Sequence, residues 1–487
     1  MNEQQDDIKQ MLQLNRPANQ GKVKILSTIL EATNKSTKSC LFTFPSQGIL
    51  STDSRLILPI WASNNTTRLS AYGGAFAMIK RAVLRNSVNG VVICDSQDVN
   101  YLMSIKNMYN SHEYREEVGI FKNATYPIWR YEQEEEGGNT FNGKYGLKVN
   151  NGSGDLHTKY RLGTSAAKAN SYILSMNELF SELMPLSLPL FCIEGNLQLY
   201  IEFADNSEVA VASTGNNADI GTVNIDLDNL RFCLDQVYME QSVMDRMLAL
   251  TRGKQGMIIP YGSYTTTTFT RNAPSVEPGA NEKTRVKYQD TLSLASGRLK
   301  HLIMHNQRIS ADGNPLKGEK IAGKFASFDS HAGYQGQSFQ MIVNNENYFN
   351  TPLHNGEFYR ENEDVFGVSL ISPPPCNSSI QGVTSGSYGD GNSKYTISDR
   401  CLLSKENFFG TSQQDLLGST CYIGVNFCNP LDRSNTGFNG KLIQGPMTLQ
   451  YERDFTNGFN ENIRSRIFMC VERIMSIQNG KILTNFS

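Results

Sequence analysis

Several groupings of residues in this chain could do chemistry, and each lacks a part that the chemistry needs. A phosphate-binding loop requires spaced glycines, a lysine and then a hydroxyl to hold magnesium. Gly318, Gly323 and Lys324 have that spacing, but Phe325 stands where the hydroxyl belongs and no apolar strand precedes them. A zinc site requires clustered histidine and cysteine. His301 and His305 are four residues apart, yet no glutamate accompanies them in a metalloprotease pattern. Their segment reads as a strand, on which they point to one side but lie far apart. His112-Glu113 has no second histidine in register, and no Gly-x-Ser-x-Gly nucleophile turn occurs. Cys421 and Cys428 fall within an apolar strand and at its end, where thiols are buried and inert.

Carboxylate pairs for glycoside hydrolysis could come from Glu132, Glu134, Glu135 and Glu136, or from Glu361, Glu363 and Asp364. Their separation is a three-dimensional quantity, and acidic runs are more often solvated loops. Lys80, Arg81 and Arg85 form the densest basic group. Beside an apolar run, such charges mark the exposed edge of a strand more often than a nucleic-acid groove. The expectation is therefore no enzyme: no catalytic, cofactor-binding or metal-ligating residue is assigned, and no cofactor.

The totals agree. At 487 residues the prior is two or three domains. A hydrophobic fraction of 39% and a charged fraction of 19% describe a folded chain, and a net charge of -2 opposes coating of nucleic acid by bulk charge. Residues 1–19 are polar and carry no signal-peptide pattern, and no apolar window is long enough to cross a bilayer. The nine cysteines are scattered, without a Cys-x-x-Cys pair, which reads as reduced thiols in an intracellular protein. Sequons at Asn64, Asn123 and Asn377 then carry no meaning.

The elements that would position any site are mostly strands. The organising stretch is 166–203. Residues 166–184 show helical spacing, with Ile173, Met176, Leu179, Phe180, Leu183 and Met184 on one face, and Pro185 ends the run. After Pro189 the period becomes two, with a kink at Gly195 and a strand over 197–203. Further strands are read at 39–44, 55–60, 208–212, 222–225, 230–239, 257–270, 291–304, 338–343, 365–371, 416–425, 449–451 and 465–477. Asn89-Gly90 closes a hairpin between the 76–84 run and 91–94. Helices are read at 99–117 and 243–250. Glycine, proline and charge mark loops at 132–154, 272–285 and 382–393. Many short strands with long loops describe β-sandwiches, two of them, joined between about 226 and 256.

Three separated segments together resemble double jelly-roll major capsid proteins. One is the opening stretch, through Leu186-Ser187-Leu188-Pro189-Leu190 to Phe203. Another is 230–269, with Val237-Tyr238-Met239, then Asp245-Arg246, then the strand from Met257. The last is Val471-Glu472-Arg473-Ile474-Met475-Ser476 followed by Gly480-Lys481-Ile482. Gly73-Gly74 running into Ala82-Val83-Leu84 is similar to the early hairpin of the smaller members. These proteins build the shells of nucleocytoplasmic large DNA viruses, virophages and polinton-like viruses, and length and loop style look closest to the last group. Large-virus members usually carry a basic helix between their domains, whereas residues 241–252 are mixed in charge.

The resemblance implies an all-β chain of two tandem eight-stranded jelly rolls with a few short helices. Residues 1–21 would be an arm, 22–234 the first roll and 235–487 the second. It implies a homotrimer with a pseudo-hexagonal outline that tiles an icosahedral virion shell with neighbouring trimers. Penton or minor capsid proteins would be the other partners, with no direct nucleic-acid binding. It implies a virion location after assembly inside the host cell, without secretion, and leaves open a membrane beneath the shell. The alternatives are a viral fibre or receptor-binding protein, against which stands the lack of repeats, and a carbohydrate-binding protein or glycosidase. For the latter, Trp61 and Trp129 are thin provision for sugar stacking.

Overall fold

A computed structural model describes residues 23–64, 67–69, 74–109, 162–181, 187–209, 211–212, 221–254, 256–279, 282–292, 297–313, 337–354, 361, 365, 422–428, 440–443, 445–456 and 460–485. Eight main strands carry a first sandwich: β1 (Lys24–Glu31), β2 (Ser39–Phe44), β3 (Arg55–Ala62), β4 (Ile79–Asn86), β5 (Val92–Gln97), β6 (Asn170–Ser175), β7 (Leu197–Phe203) and β8 (Arg231–Tyr238). Eight more carry a second: β9 (Met257–Arg271), β10 (Lys283–Leu292), β11 (Gly297–Ile309), β12 (Gln337–Val343), β13 (Glu346–Asn347), β14 (Tyr422–Asn426), β15 (Met447–Thr456) and β16 (Asn462–Gln478). A last strand, β17 (Lys481–Asn485), turns back on β16.

The pairing follows one rule in both halves. β1 pairs with β8, β2 with β7, β3 with β6 and β4 with β5, all antiparallel. These are the rungs of one long hairpin. Rolling that hairpin brings β8 against β3 and β7 against β4. The results are sheets in the order β1-β8-β3-β6 and β2-β7-β4-β5. In the second half β9 pairs with β16, β10 with β15, β11 with β14 and β12 with β13. Rolling adds β16 to β11 and β15 to β12. Both halves are jelly rolls, and the double jelly roll expected from the resemblance is the fold observed.

Alternation builds each interior. Along β2, Cys40, Phe42 and Phe44 are buried and their neighbours are not; along β7, Leu197, Leu199, Ile201 and Phe203 are buried. Phe232 of β8 meets them from the facing sheet, its ring 5.0 Å from that of Phe44 and 5.5 Å from that of Phe42. The second interior is filled by Leu302, Met304, Phe339, Met341, Leu449, Ile467 and Met469.

The helix read over 166–184 is not observed. Residues 170–175 form β6, and only Met176–Leu179, labelled α2, is α-helical. The two periods compete in this stretch. Tyr172, Leu174 and Met176 are the buried residues while Ile173 stays exposed, so the period of two wins. The helix begins at a capping box. Ser175 Oγ accepts the Glu178 amide at 3.2 Å, and the Glu178 carboxylate accepts the Ser175 amide at 3.1 Å. The other helices are α1 (Val99–Tyr109), whose expected continuation to 117 lies outside the described residues, and α3 (Gln241–Arg252), longer than the 243–250 read from sequence. Over 208–212 the chain forms a helical turn, Asn206–Val209, and a two-residue strand, Val211–Ala212. The strand read over 365–371 lies outside the described residues apart from Val365.

Candidate functional site

Each candidate from the sequence has a place or lies outside the described residues. The glycine–lysine run 318–324, His112, Cys421 and the acidic residues other than Glu361 lie outside. Lys80, Arg81 and Arg85 line the exposed face of β4, where carboxylates of neighbouring strands pair with the first two and an amide accepts from the third. Lys80 pairs with Glu202 at 3.2 Å, Arg81 grips Asp95 through two bonds of 2.8 and 2.6 Å, and Arg85 donates to Gln198 at 3.2 Å. The pairing raises the Lys80 and Arg81 pKa values, the hydrogen bonds to Glu202 and Asp95 being the largest causes. Cys428 is half-buried, and burial raises its thiol pKa. Among the described residues no cluster of His, Cys, Asp and Glu could hold a metal ion, and no helix is long and apolar enough to cross a membrane.

His301 and His305 share one face of β11, as strand spacing requires, and that face is covered. Three rows cross the outer side of the β9-β16-β11 sheet: Tyr264, Cys470 and His301; Thr266, Phe468 and Ile303; Thr268, Arg466 and His305. The residues between them, Ile467, Met469, Leu302 and Met304, point into the second roll. Phe468, Cys470 and Ile303 belong instead to the core of the first roll. Most of β16 is therefore buried on both sides, which explains its long unbroken apolar run.

What covers this face is the edge of the first roll. β5 is the outermost strand of its sheet, and an uncovered edge would expose unpaired backbone groups. Here side chains of β9 satisfy them: the Tyr261 hydroxyl donates to Ile93 O at 2.8 Å and Thr266 Oγ1 to Gln97 O at 3.3 Å. Backbone bonds reinforce the joint, Glu194 N–H to Gly480 O at 2.7 Å and Asn479 N–H to Thr251 O at 2.9 Å. The Asn89 amide, in the Asn89-Gly90 turn, reaches Ile482 O at 3.5 Å.

At one end of the seam α1 places Tyr101 over β11 and β16. The Arg466 guanidinium lies 3.7 Å from the Tyr101 ring centre, donates to Gln307 Oε1 at 2.8 Å, and pairs with Asp98 at 3.5 Å. Gln307 Nε2 in turn donates to the Tyr101 oxygen at 3.1 Å. The Tyr101 ring also sits 5.5 Å from that of His305. Burial pushes Tyr101 up to about 12 and holds His305 well below its ordinary value, with Arg466 adding to the latter. His301 is lowered to about 3 by burial, then by Lys106 and Lys300, and it is hydrogen-bonded to the Tyr264 hydroxyl at 2.6 Å. These histidines are structural and uncharged. Their pairing with the other roll was beyond the reach of sequence spacing.

The described residues cover the matching sheet of the first roll only in part: Cys233, Asp235 and Val237 are buried on it, and the isoleucines near its edges are not. Its outer rows are Glu31, Arg231, Ile57 and Ile173, then Ile29, Cys233, Arg55 and Ser175, then Ser27 with Asp235, then Ile25 with Val237. Ile25 and Ile29 are 66% and 65% exposed, and Ile173 is 37% exposed. Ion pairs frame them, Arg231 with Glu31 at 3.2 Å and Arg55 with Asp235 at 3.9 Å. In the second roll the same topological face is buried; in the first it presents isoleucine to solvent.

No family model matches the sequence, and no curated protein matches it. Solved structures do match. The chain is similar to VP54 of PBCV-1, as fitted into a reconstruction of the virophage Sputnik, with TM-score 0.53 and 11% identity over 97% of this chain and 98% of that one. It is similar to a quasi-atomic model of the PBCV-1 virus capsid, TM-score 0.51 and 10% identity over 97% and 98%. It is also similar to the structure of the Sputnik virophage, TM-score 0.52 and 10% identity over 96% and 88%. At these identities the likeness establishes the fold, shared over nearly the whole of each chain.

Proposed function

We propose that this chain is a major capsid protein, a structural protein without catalytic chemistry. Copies associate as a homotrimer of pseudo-hexagonal outline, and trimers tile an icosahedral shell together with separate penton or minor capsid proteins. Its place is the virion, after assembly inside the host cell. The observation that carries the reading is the duplicated hairpin-rolled topology, in which the first roll's core extends onto the outer face of the second roll while the second keeps a core of its own. That architecture spans the solved capsid structures end to end. A block of two like units is a building part. The near-zero net charge supports close packing of identical copies.

The division of the chain belongs to the same proposal. β8 pairs with β1 as far as Tyr238, so we draw the boundary at α3, over Gln241–Arg252, rather than at 234/235. The first roll then runs from about residue 22 to 240 and the second from 253 to the end. Residues 1–21 remain an arm in this reading.

Light scattering on the purified, untagged protein tests the proposal. The expected mass is three times the 54.3 kDa of one chain. A chain that stays monomeric at high concentration overturns it.

A further inference from the structure

We propose that the seam between the two rolls is an acid-responsive joint, hinged at its α3 end and parted at its α1 end when His301 and His305 take up protons. The joint lies within one chain, so it operates whether or not copies associate.

The two ends of the seam are held differently. At the α3 end, backbone bonds tie the first roll and α3 to the β16–β17 turn: Glu194 N–H to Gly480 O at 2.7 Å and Asn479 N–H to Thr251 O at 2.9 Å. The chain itself also crosses there, from β8 through α3 into β9. β5 and β9 then run side by side toward α1, from the Tyr261–Ile93 contact to the Thr266–Gln97 contact. Among the described residues, side chains close the α1 end. Thr266 Oγ1 donates to Gln97 O at 3.3 Å, Arg466 pairs with Asp98 at 3.5 Å, and Gln307 Nε2 donates to the Tyr101 oxygen at 3.1 Å. Such an end parts without unpairing a strand, and a local opening costs less than unfolding the whole.

The groups that face the histidines set the direction of the response. His305 has no exposed surface. Tyr101 of α1 and Arg466 of β16 stand beside it, Thr268 of β9 shares its row, and Asp98 pairs with Arg466. His301 is partly buried and bonded to the Tyr264 hydroxyl, with Cys470 in its row. Lys106 of α1 and Lys300 are its cationic neighbours, and Glu472 pairs with Lys300 at 3.5 Å. A proton on either ring therefore places a cation out of water beside another cation. Parting the seam returns both rings to water, where they hold the proton. Glu208, close to Arg466, works the other way: burial raises its pKa, so the closed seam keeps its proton. It is one group against two. A histidine that regains its ordinary pKa near 6.5 raises the parting equilibrium about tenfold between pH 7.5 and 5.5, and two give about a hundredfold.

The chain carries its own reporters. Cys470 lies under the seam in the His301 row, and Cys40 lies inside the first roll. Burial pushes both thiols up to about 12, so each reacts only when uncovered. The test labels the full chain with dithiodipyridine under native conditions at both pH values. Each cysteine is read by peptide mass spectrometry against glutathione at the same pH. The expected result is a Cys470 rate that rises about a hundredfold on acidification and exceeds that of Cys40 by about tenfold or more at the lower pH. His301→Gln and His305→Gln together should leave the Cys470 rate nearly flat, and each alone should keep about tenfold of the rise. A Cys470 rate no higher than that of Cys40 overturns the proposal, because the seam then opens only when a roll unfolds. A Cys470 rate that ignores acid, or that rises as much in the histidine variants, also overturns it. None of these outcomes depends on the mass of the particle, so the capsid reading stands or falls separately.

Discussion

His301 and His305 are neutral because the first roll takes them out of water, and that gives the fold a dependence on pH. An unfolded chain protonates histidine near pH 6.5. Folded His301 resists until about 3, and His305 lies well below its ordinary value. As pH falls, protons bind the unfolded chain first. The histidine contribution to stability is therefore complete above about 6.5 and lost progressively down toward about 3. The slope is at most about 1.4 kcal/mol per pH unit for each histidine. Denaturant titrations across this window should show the loss. His301→Gln and His305→Gln should each flatten it, and an unchanged slope in both variants would contradict the burial argument.

Two arginines differ in what surrounds them. Arg466 is almost fully buried with Asp98, Gln307 and Tyr101 around it. Removing it strands Asp98 and Gln307, so Arg466→Ala should cost about 3–5 kcal/mol in chemical denaturation. Arg453 sits in the inward row of β15, between Tyr451 and Phe455, fully buried. Among the described residues its guanidinium nitrogens have no hydrogen-bond partner, and it lies 4.8 Å from the Phe455 ring. Arg453→Met leaves nothing unpaired and removes a desolvated charge, so it should stabilise the protein, by about 1–4 kcal/mol. Destabilisation of more than about 1 kcal/mol would show that the charge has a partner. At this scale the sequence was partly legible. His301 and His305 do share one face of their strand, as its period of two required, and the motif around Lys324 lies outside the described residues. The partners of His305 and Arg466 were not legible, because Tyr101 and Asp98 stand hundreds of residues away in the chain.

Among the elements, strands with one buried face were the readable ones. β2, β3, β7, β8, β9 and β16 all follow apolar periods or runs, and the Asn89-Gly90 hairpin follows from its turn chemistry. Two of the longer strands escaped the reading. β1 is largely exposed on both faces, so it has no burial pattern to read. β10, Lys283–Leu292, has mostly polar residues, and part of it was assigned to the loop over 272–285. It is held by β15 through its backbone ladder and cross-strand ion pairs, Lys287 with Glu452 and Arg285 with Asp454, each at 2.6 Å. The false helix over 166–184 arose because Ile173 suits both periods. Its true helical part depends on the capping box, so Ser175→Ala should cost about 1 kcal/mol, read as a lowered denaturation midpoint. Equivalent outer-face positions should also respond oppositely. Ile303→Asp buries a charge in the seam and should abolish folding on expression, whereas Ile29→Asp should leave the single-chain melt unchanged. Equal effects would contradict the assignment of one face as sealed and the other as open.

For the whole molecule, the recurrence of one topology matters more than either roll alone. The β-sandwich class was legible from turns and strand periods. That there are two copies of one hairpin-rolled pattern was not, because strand order is set by which edges meet after the chain has folded. The resemblance supplied it before the structure did. One roll's outer face is sealed by its neighbour, whereas among the described residues the other's leaves Ile25 and Ile29 exposed. The proposed capsid role requires that copies of this block associate, three to a particle. Single-particle cryo-electron microscopy of the purified oligomer tests this most directly. Viewed along its axis, the particle should show six like lobes arranged as a ring, two from each of three chains. A monomeric particle, or an oligomer without six like lobes, would contradict it.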